Sequence, residues 1–368
     1  MLKISLTQDS IPRRRFIKAL TAELVSVAGS FELIHALVTD KALRAEAAEL
    51  SREAITVDLH CHANAVVERR SSKVSANLAA DMKTGGLDAG IFALRGDLGT
   101  LRRDSSGKYH ENRKPAEGEL FKRAQEQLNA INDAIDERTF ALAKSPTEVS
   151  EAKKRGTPCA VLAVEGSDPL EGDPERIKFF YQRGVRVLQL MHYRINEIGD
   201  IQTEAPVHHG LTSFGKTVVA EMNRLGMVID TAHASPDTLA GVLAASRHPV
   251  LFSHTGVYAL RKFDRHLADK DIQAIAKKDG IIGVWPLQRR GEGFETFLRD
   301  IDHLKSLVGA DHVGVGTDLF GLGSTTSIPT HKEFALVPAG LLKRGYSEID
   351  VAKIVGGNFM RLFREVTA

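Results

Sequence analysis

The chain has 368 residues, of which 43% are hydrophobic, so it can bury one barrel-sized core or two smaller ones. Its 49 basic and 47 acidic residues nearly cancel, which excludes the strong positive field of a nucleic-acid-binding or membrane-surface protein and favours a small substrate. Only two cysteines occur, which excludes a disulfide scaffold.

The N-terminal segment, residues 1–37, resembles a twin-arginine export signal, because three consecutive arginines at 13–15 precede a mostly apolar stretch. Glu23 and Glu32 interrupt that stretch, so an amphipathic helix with a basic start is the alternative. Export predicts a periplasmic protein, and the alternative predicts a cytoplasmic one. Residues 38–54 are rich in alanine and charge and predict a helical linker, which leaves 55–368 as the main domain. No other apolar run reaches the ~20 residues of a membrane-spanning helix.

The main domain begins with a β-branched, apolar run that ends in His60, Cys61 and His62. Side chains alternate faces along a strand, so the two imidazoles share one face and can hold one metal ion. Cys61 then points to the opposite face and is not expected to be a ligand. The alternative is a buried strand whose histidines are only hydrogen-bonded.

Seven further strand-like runs follow, mostly separated by segments of helical periodicity. Eight such units predict a (β/α)8 TIM barrel, whose active site is built from the loops after the carboxyl ends of the strands. A doubly wound sheet is the alternative, but it would gather the site at one switch point. The polar segment 97–115 predicts a long loop over the site. The predicted strands are 55–60, 89–94, 159–164, 185–190, 226–230, 249–253, 281–285 and 313–317, and the predicted helices are 116–144, 173–183, 213–225, 236–246, 269–278, 295–308 and 347–365.

Four later strands end in a residue that can bind metal or carry protons, namely Glu165, His233, His254 and Asp318. On a barrel they would meet the histidines of the first strand at one mouth. Nitrogen and carboxylate donors without a thiolate favour zinc or a similar divalent metal, and Glu165 could bridge two ions. The chemistry of such a site is to acidify a bound water and polarise a carbonyl, with Asp318 as the proton acceptor.

Several short motifs, each weak alone, are specific as a set: 57–62, 164–166, 190–192, 210–215, 222–233, 252–255, 314–318 and 357–358. Together they resemble the motifs of the membrane (renal) dipeptidases, a branch of the amidohydrolase superfamily with a binuclear zinc site. The resemblance implies a metal-dependent hydrolase barrel that cleaves dipeptides with a zinc-activated hydroxide. It also implies two histidine pairs, each on one zinc ion, and one bridging carboxylate: His60 with His62, His233 with His254, and Glu165 between them.

The same resemblance assigns two substrate-binding residues. His192 would lie over the scissile carbonyl and stabilise the negative charge that develops there. Arg265 stands eleven residues after the last histidine ligand, as in the family, and would bind the substrate carboxylate through its guanidinium fork. The alternative for Arg265 is a solvated loop arginine, since Arg261 and Lys262 are close by.

One position departs from the family, because many members carry aspartate where His62 stands. Histidine still ligates, but it removes a negative charge from the cluster and leaves the substrate preference open. An amidohydrolase acting on a non-peptide amide, lactone or cyclic substrate is therefore an alternative. So is a catalytically silent metal- or partner-binding barrel, although a complete ligand set with Asp318 argues against it. A homodimer is compatible with the sequence, whereas a nucleic-acid partner is not expected.

Overall fold

The computed structural model describes residues 33–34, 37, 39–63, 74–105, 107–135, 140–289, 292–322 and 325–368. Apart from Leu33, Ile34 and Leu37, the predicted export signal lies outside these residues. In the part of the chain that is described, no helix combines the length and the apolar character needed to cross a bilayer.

Eight parallel strands form a nearly closed barrel in the order β1-β2-β6-β7-β8-β9-β10-β11, with β5 added beside β6. The first and last strands meet where the backbone N–H of Asp318 donates to the carbonyl of His60 at 2.8 Å. The predicted TIM barrel is confirmed, and each predicted strand boundary lies within two residues of the observed one. The strands are β1 (Val57–Cys61), β2 (Ala89–Arg95), β3 (Leu101–Arg103), β4 (Tyr109–Glu111), β5 (Ala141–Leu142), β6 (Cys159–Glu165), β7 (Val185–Gln189), β8 (Val228–Asp230), β9 (Leu251–Thr255), β10 (Ile281–Val284) and β11 (Val313–Val315).

Helices surround the barrel and connect successive strands. Their boundaries follow local signals, such as Ser145 capping a helix that has Pro146 in its first turn. The helices are α1 (Lys41–Glu53), α2 (Val74–Thr84), α3 (Glu119–Ala134), α4 (Pro146–Lys154), α5 (Glu175–Gln182), α6 (Ser213–Leu225), α7 (Pro236–Ala245), α8 (Asp269–Ala276), α9 (Phe294–Val308), α10 (Leu336–Lys343), α11 (Glu348–Ala352) and α12 (Asn358–Thr367).

Two apolar layers lie on either side of the strands. The outer layer packs the strands against the helices, and the inner layer fills the barrel with small and branched side chains such as Ile91, Ala93 and Val161. The interior is tight, because a Cβ added at Gly314 would lie 2.4 Å from the side chain of Leu59. A packed interior leaves only the two ends of the barrel for function.

The C-terminal helix α12 closes the end of the barrel where the strands begin. Its Phe359 and Phe363 stack at 5.4 Å and join the inner apolar layer. Asn358 donates to the carbonyls of Ala310 and Val313 at 2.7 and 2.8 Å, which ties the helix to the start of β11. A wider turn over Lys353–Gly357 separates α11 from α12, so the helix predicted over 347–365 is divided in two.

Three features differ from the sequence prediction. The helix predicted over 116–144 is shorter, since α3 ends at Ala134 and β5 begins at Ala141. Helices α2, α4 and α10 are absent from the prediction, because α2 and α4 have no long apolar stripe and α10 is only eight residues long. The segment predicted as a loop over 97–115 contains the antiparallel hairpin β3–β4, which pairs Arg103 with Tyr109.

Candidate metal centre

A bulge in β1 turns two histidines into the mouth of the barrel. Leu59 points into the barrel interior, so strict alternation would send His60 outward. The register between β1 and β2 shifts after Asp58, and this extra residue re-aims His60 and His62 inward. Asp58 accepts the backbone N–H of His60 at 3.2 Å, which fixes the bulge. The structure thus places both imidazoles on one side of β1 and Cys61 in the outer apolar layer.

The carboxylate of Glu165 is the centre of the site. It stands at the end of β6, directly above Ala163 of the barrel interior, and is almost fully buried. Five imidazole Nε2 atoms approach it from four other strands or the loops that follow them. The distances from its oxygens are 3.3 Å to His60, 3.5 Å to His62, 3.4 Å to His192, 3.6 Å to His233 and 3.8 Å to His254.

The histidines present lone pairs to this centre. Nδ1 of His62 donates to the carbonyl of Ala93 at 2.9 Å, so Nε2 of the neutral ring is left as an acceptor. The Nε2 atoms of His233 and His254 lie only 3.1 Å apart. Nε2 of His60 and Oε2 of Glu165 are buried without a hydrogen-bond partner. Nitrogen and carboxylate donors that converge with unshared lone pairs fit a divalent cation such as zinc.

The electrostatics of the cluster follow from burial and from mutual contact. Burial alone would raise the pKa of Glu165, but His192 and His60 outweigh it and hold that pKa well below its usual range. Burial opposes a charge on His60, yet Glu165 and Asp318 raise its pKa to about 9. Burial lowers the pKa of His233 well below its usual value, and the charge of nearby Arg265 acts in the same direction.

His192 belongs to the cluster through a carboxylate partner. Its Nδ1 lies 2.8 and 2.9 Å from the two oxygens of Asp97, while its Nε2 faces Glu165. Asp97 is fully buried just after β2 and also accepts the backbone N–H of Tyr193 at 3.3 Å. Burial opposes a charge on His192, but Asp97 and Glu165 outweigh it and raise its pKa, against a smaller opposing effect of Arg95. Asp97 therefore orients His192 and favours its charged form.

Asp318 lies at the solvent edge of the cluster. Its Oδ1 is 3.4 Å from Nε2 of His62 and 4.0 Å from Nε2 of His60, within reach of a shared cation. Its side chain is 11% exposed, compared with 2% or less for those two histidines. The backbone of Asp318 is left-handed, with φ of 47°, and so is that of His233, with φ of 70°. Such conformations are rare outside glycine and cluster at functional sites.

Asp58 and His331 form a buried pair on the outer side of the barrel strands, next to the ends of β1 and β11. Asp58 accepts a hydrogen bond from Nε2 of His331 at 2.9 Å and from the hydroxyl and backbone N–H of Thr317 at 2.5 and 2.8 Å. Since Asp58 also holds the bulge at His60, it connects the two strand ends that carry His60 and Asp318. His331 is thus a packing histidine of the outer layer.

Arg265 lies on another side of the mouth, in the loop after β9. It is 1% exposed, its Nη1 donates to Gln202, and its guanidinium carbon stands 5.2 Å from the ring of Trp285. Its Nε and Nη2 are buried without a partner. The solvated alternative is therefore wrong, and two free donors suit a carboxylate. Trp285 also contacts the ring of His254 at 5.7 Å, so it forms part of the wall.

Sequence reasoning missed the two aspartates that support the site. Asp97 follows the end of β2 by two residues, which is the same signal that identified the other strand-end residues. Asp58 lies two residues before His60, but its partner His331 is 273 residues away in the chain, so no local pattern could have joined them.

Comparison with known proteins gives one family. The model of the membrane dipeptidase family (peptidase family M19) matches residues 44–368. The dipeptidase tcpJ of Claviceps purpurea is 32% identical over 247 residues, which cover 65% of this chain and 58% of that protein. The chain spans 51% to 67% of the length of three curated relatives that it matches, all of them dipeptidases by name.

Solved structures share the fold. An amidohydrolase from Pseudomonas aeruginosa is 25% identical, with a TM-score of 0.73 over 87% of this chain and 98% of that one. A metallopeptidase from Rhodobacter sphaeroides, solved with a phosphinate mimic of the dipeptide L-Ala-D-Ala, is 22% identical, with a TM-score of 0.71 over 85% and 99%.

Proposed function

The chain belongs to the membrane dipeptidase family, and from that premise we propose that it hydrolyses dipeptides with the help of two zinc ions held at the mouth of the barrel. One observation carries the proposal: a buried carboxylate, Glu165, meets five imidazole nitrogens at 3.3 to 3.8 Å. A cluster of this kind without a cation would leave several buried lone pairs facing one another, which is costly.

The ligands fall into two groups around Glu165. His60 and His62 come from β1 and have Asp318 beside them, while His233 and His254 follow the neighbouring strands β8 and β9. Under this proposal the two groups hold one ion each, and Glu165 contributes to both. Bound divalent cations supply a water of lowered pKa and polarise the carbonyl that is attacked.

The remaining side chains act on the proton and on the substrate. Asp318, on the solvent side of the cluster, accepts the proton of the attacking water and passes it to the departing amine. His192 donates from Nε2 to the carbonyl oxygen as negative charge develops, and Asp97 supports the charged imidazole that this requires. The position of His192 beside Glu165 and that of Asp318 beside His62 support these proposed roles.

Arg265 supplies specificity for a free carboxyl terminus. Its two unpartnered donors form the fork that binds a carboxylate, and Trp285 and Gln202 hold the guanidinium in place. The Rhodobacter sphaeroides metallopeptidase carries a dipeptide mimic in its structure, which agrees with a dipeptide-sized substrate for this fold.

The test combines metal analysis with a substrate panel. We expect purified protein to contain about two divalent ions per chain and to hydrolyse dipeptides of one or both chiralities, with activity lost on chelation and restored by Zn²⁺. The panel should include an N-acyl amino acid, a lactone and a cyclic dipeptide as non-dipeptide controls. If metal-loaded protein cleaves a control but no dipeptide, the dipeptidase proposal is wrong and the broader amidohydrolase alternative holds.

A further inference from the structure

Five arginines of the described chain, each partly or fully buried and each with an Nε that has no hydrogen-bond partner, divide into two kinds. Three of them each pair with two carboxylates, Arg194, Arg261 and Arg344. The other two, Arg95 and Arg265, make no ion pair with any carboxylate in the described part of the chain. All five nevertheless have a buried Nε without a hydrogen-bond partner. A guanidinium placed in this way without a carboxylate points to an anionic ligand.

Arg95 faces the mouth of the barrel. It is the last residue of β2, and the residues below it on the same face, Ile91 and Ala93, belong to the barrel interior. Arg95 is paired in register with Glu165 in the neighbouring parallel strand, so the two side chains lie on the same face. Its Nη2 reaches the carbonyl of Phe320 at 3.5 Å, a weak contact that leaves most of its donor capacity unused.

The backbone of Arg95 is held in place from outside the barrel. The side chain of Gln127 accepts its N–H at 3.0 Å and donates to its carbonyl at 3.0 Å. Gln127 is itself buried on α3. An arginine whose backbone is fixed on both sides offers its guanidinium from a defined position, which lowers the entropic cost of binding a ligand.

Arg95 and Arg265 lie on opposite sides of the mouth. Arg95 ends β2 and Arg265 follows β9, which are the second and sixth of the eight strands around the barrel. The two strands therefore lie on opposite sides of the barrel axis. Arg95 has His62 and Asp318 on its side, and Arg265 has His254 and Trp285 on its own. A substrate whose carboxyl terminus is bound by Arg265 and whose amide lies over Glu165 directs its amino-terminal half toward Arg95.

We propose that Arg95 binds a second carboxylate on the amino-terminal half of the substrate, so that the preferred substrates are dicarboxylates; this inference rests on the proposed dipeptidase function. The carboxylate has two chemical sources, the acidic side chain of an α-linked aspartyl or glutamyl residue, or the α-carboxylate of a γ-linked glutamate. Both present the same planar acceptor to the guanidinium.

The kinetic test compares Glu-Ala with its neutral isostere Gln-Ala on the zinc-loaded protein. We expect kcat/KM for Glu-Ala to exceed that for Gln-Ala by about ten- to a hundredfold, the range of a charge-assisted pair. In Arg95→Gln the ratio falls to within about twofold of one, and in Arg95→Lys it takes an intermediate value. The matched control, Arg299→Gln, removes the same charge from the exposed side of α9 and keeps the wild-type ratio.

A third substrate, γ-Glu-Ala, shows whether Arg95 binds the acidic side chain of an α-linked residue or the α-carboxylate of a γ-linked glutamate. Preference for Glu-Ala or for γ-Glu-Ala over Gln-Ala, lost in Arg95→Gln, supports the proposal and identifies the linkage. A wild-type ratio near one for both acids, or a ratio that persists in Arg95→Gln with an unchanged unfolding temperature, overturns it.

A binding measurement keeps this result separate from the dipeptidase proposal. The zinc-loaded Asp318→Asn variant, in which hydrolysis is expected to be slow, is titrated calorimetrically with Glu-Ala, γ-Glu-Ala and Gln-Ala, so that binding is measured without turnover. Binding of either acid at least tenfold tighter than Gln-Ala, lost in Arg95→Gln but kept in Arg299→Gln, supports the second carboxylate site even if no dipeptide is hydrolysed. Equal affinities for the three ligands contradict it.

Discussion

The two ends of the barrel are built on opposite principles. At the closed end, α12 inserts Phe359 and Phe363 into the inner apolar layer, and its buried amide Asn358 makes two good hydrogen bonds. At the mouth, buried polar atoms of Glu165 and Arg265 have no partner. Buried polar groups are normally satisfied, so the unsatisfied carboxylate and guanidinium atoms that face the mouth suit a ligand, and the packed end supplies the stability.

The backbone shows the same contrast. The turns that lead into β6, β7 and β8 reach positive φ with glycine, for example at Gly156 and Gly226, where it causes no steric strain, whereas the turn before β10 uses Asp279 at φ of 55°. At the mouth, positive φ is adopted by His233, Asp318 and Phe320, which lack the conformational freedom of glycine. Each such residue costs of the order of 1–3 kcal/mol in conformational free energy. Substitutions at the mouth should therefore change activity more than stability, and substitutions at the closed end should do the reverse.

The largest effect is expected for Asp318→Asn. Asparagine tolerates the left-handed backbone and keeps the shape of the side chain, but it cannot accept a proton. We expect kcat to fall by about 10³-fold or more, with metal content largely retained and the unfolding temperature nearly unchanged. Exposed Asp264 on the same end serves as the control, since Asp264→Asn should leave kcat unaltered. An unimpaired kcat in Asp318→Asn would remove this residue from the mechanism.

The closed end is tested by Phe363→Ala. Phe363 is fully buried and stacks on Phe359, so the truncation leaves a cavity in the inner layer. We expect a loss of about 3–5 kcal/mol in the free energy of unfolding, measured with denaturant, and a kcat per folded molecule close to wild type. The conservative change Phe363→Leu should lose less than half as much. A selective fall in metal content at low temperature would show that the two ends are coupled.

The support of His192 is tested by Asp97→Asn. The amide offers Nδ1 of His192 one acceptor oxygen in place of two, carries no charge, and no longer stabilises the imidazolium. We expect kcat to fall about 10²-fold with a smaller change in KM, because the donor acts on charge that develops in the transition state. Asp168→Asn removes another buried carboxylate from the same wall, one that contacts Arg194 instead of an imidazole, and should cost less than about fivefold. Equal losses in the two variants would assign Asp97 a purely structural role.

The sequence predicted the barrel and the residues that converge at its mouth because both leave local signals. Each strand is a short apolar run, and each candidate ligand stands at or near the end of such a run, as Glu165 ends β6 and His254 follows the apolar part of β9. The face shared by His60 and His62 was also correct, although a bulge, and not simple alternation from the start of β1, produces it. Functional residues at the carboxyl ends of barrel strands can thus be predicted from a single sequence.

The residues that support the site were not predicted, although two of them carry a strand-end signal. Arg95 ends β2 and Asp97 follows it by two residues, but in the sequence they look like the first charged residues of a polar surface loop. Asp58 and His331 meet only because the barrel closes between β1 and β11. The lack of a carboxylate partner is a property of the folded chain, and within the described residues it distinguishes Arg95 and Arg265 from Arg194, Arg261 and Arg344.

The smallest effect concerns acid stability of the loop that carries Arg265. Burial, with the charges of Arg261 and Arg265, lowers the pKa of His266 to about 3, and its Nδ1 donates to the carbonyl of Arg261 at 2.9 Å. The folded pKa lies below the unfolded value of about 6.5, so the unfolded chain binds the extra proton between these pH values. The stability contributed by neutral His266 is present above pH ~6.5 and is lost as pH falls toward 3, by up to about 1.4 kcal/mol per pH unit. Denaturant titrations at pH 4.5 and 7 should show this slope reduced in His266→Gln, whereas His248→Gln, on the other side of β9, should keep it.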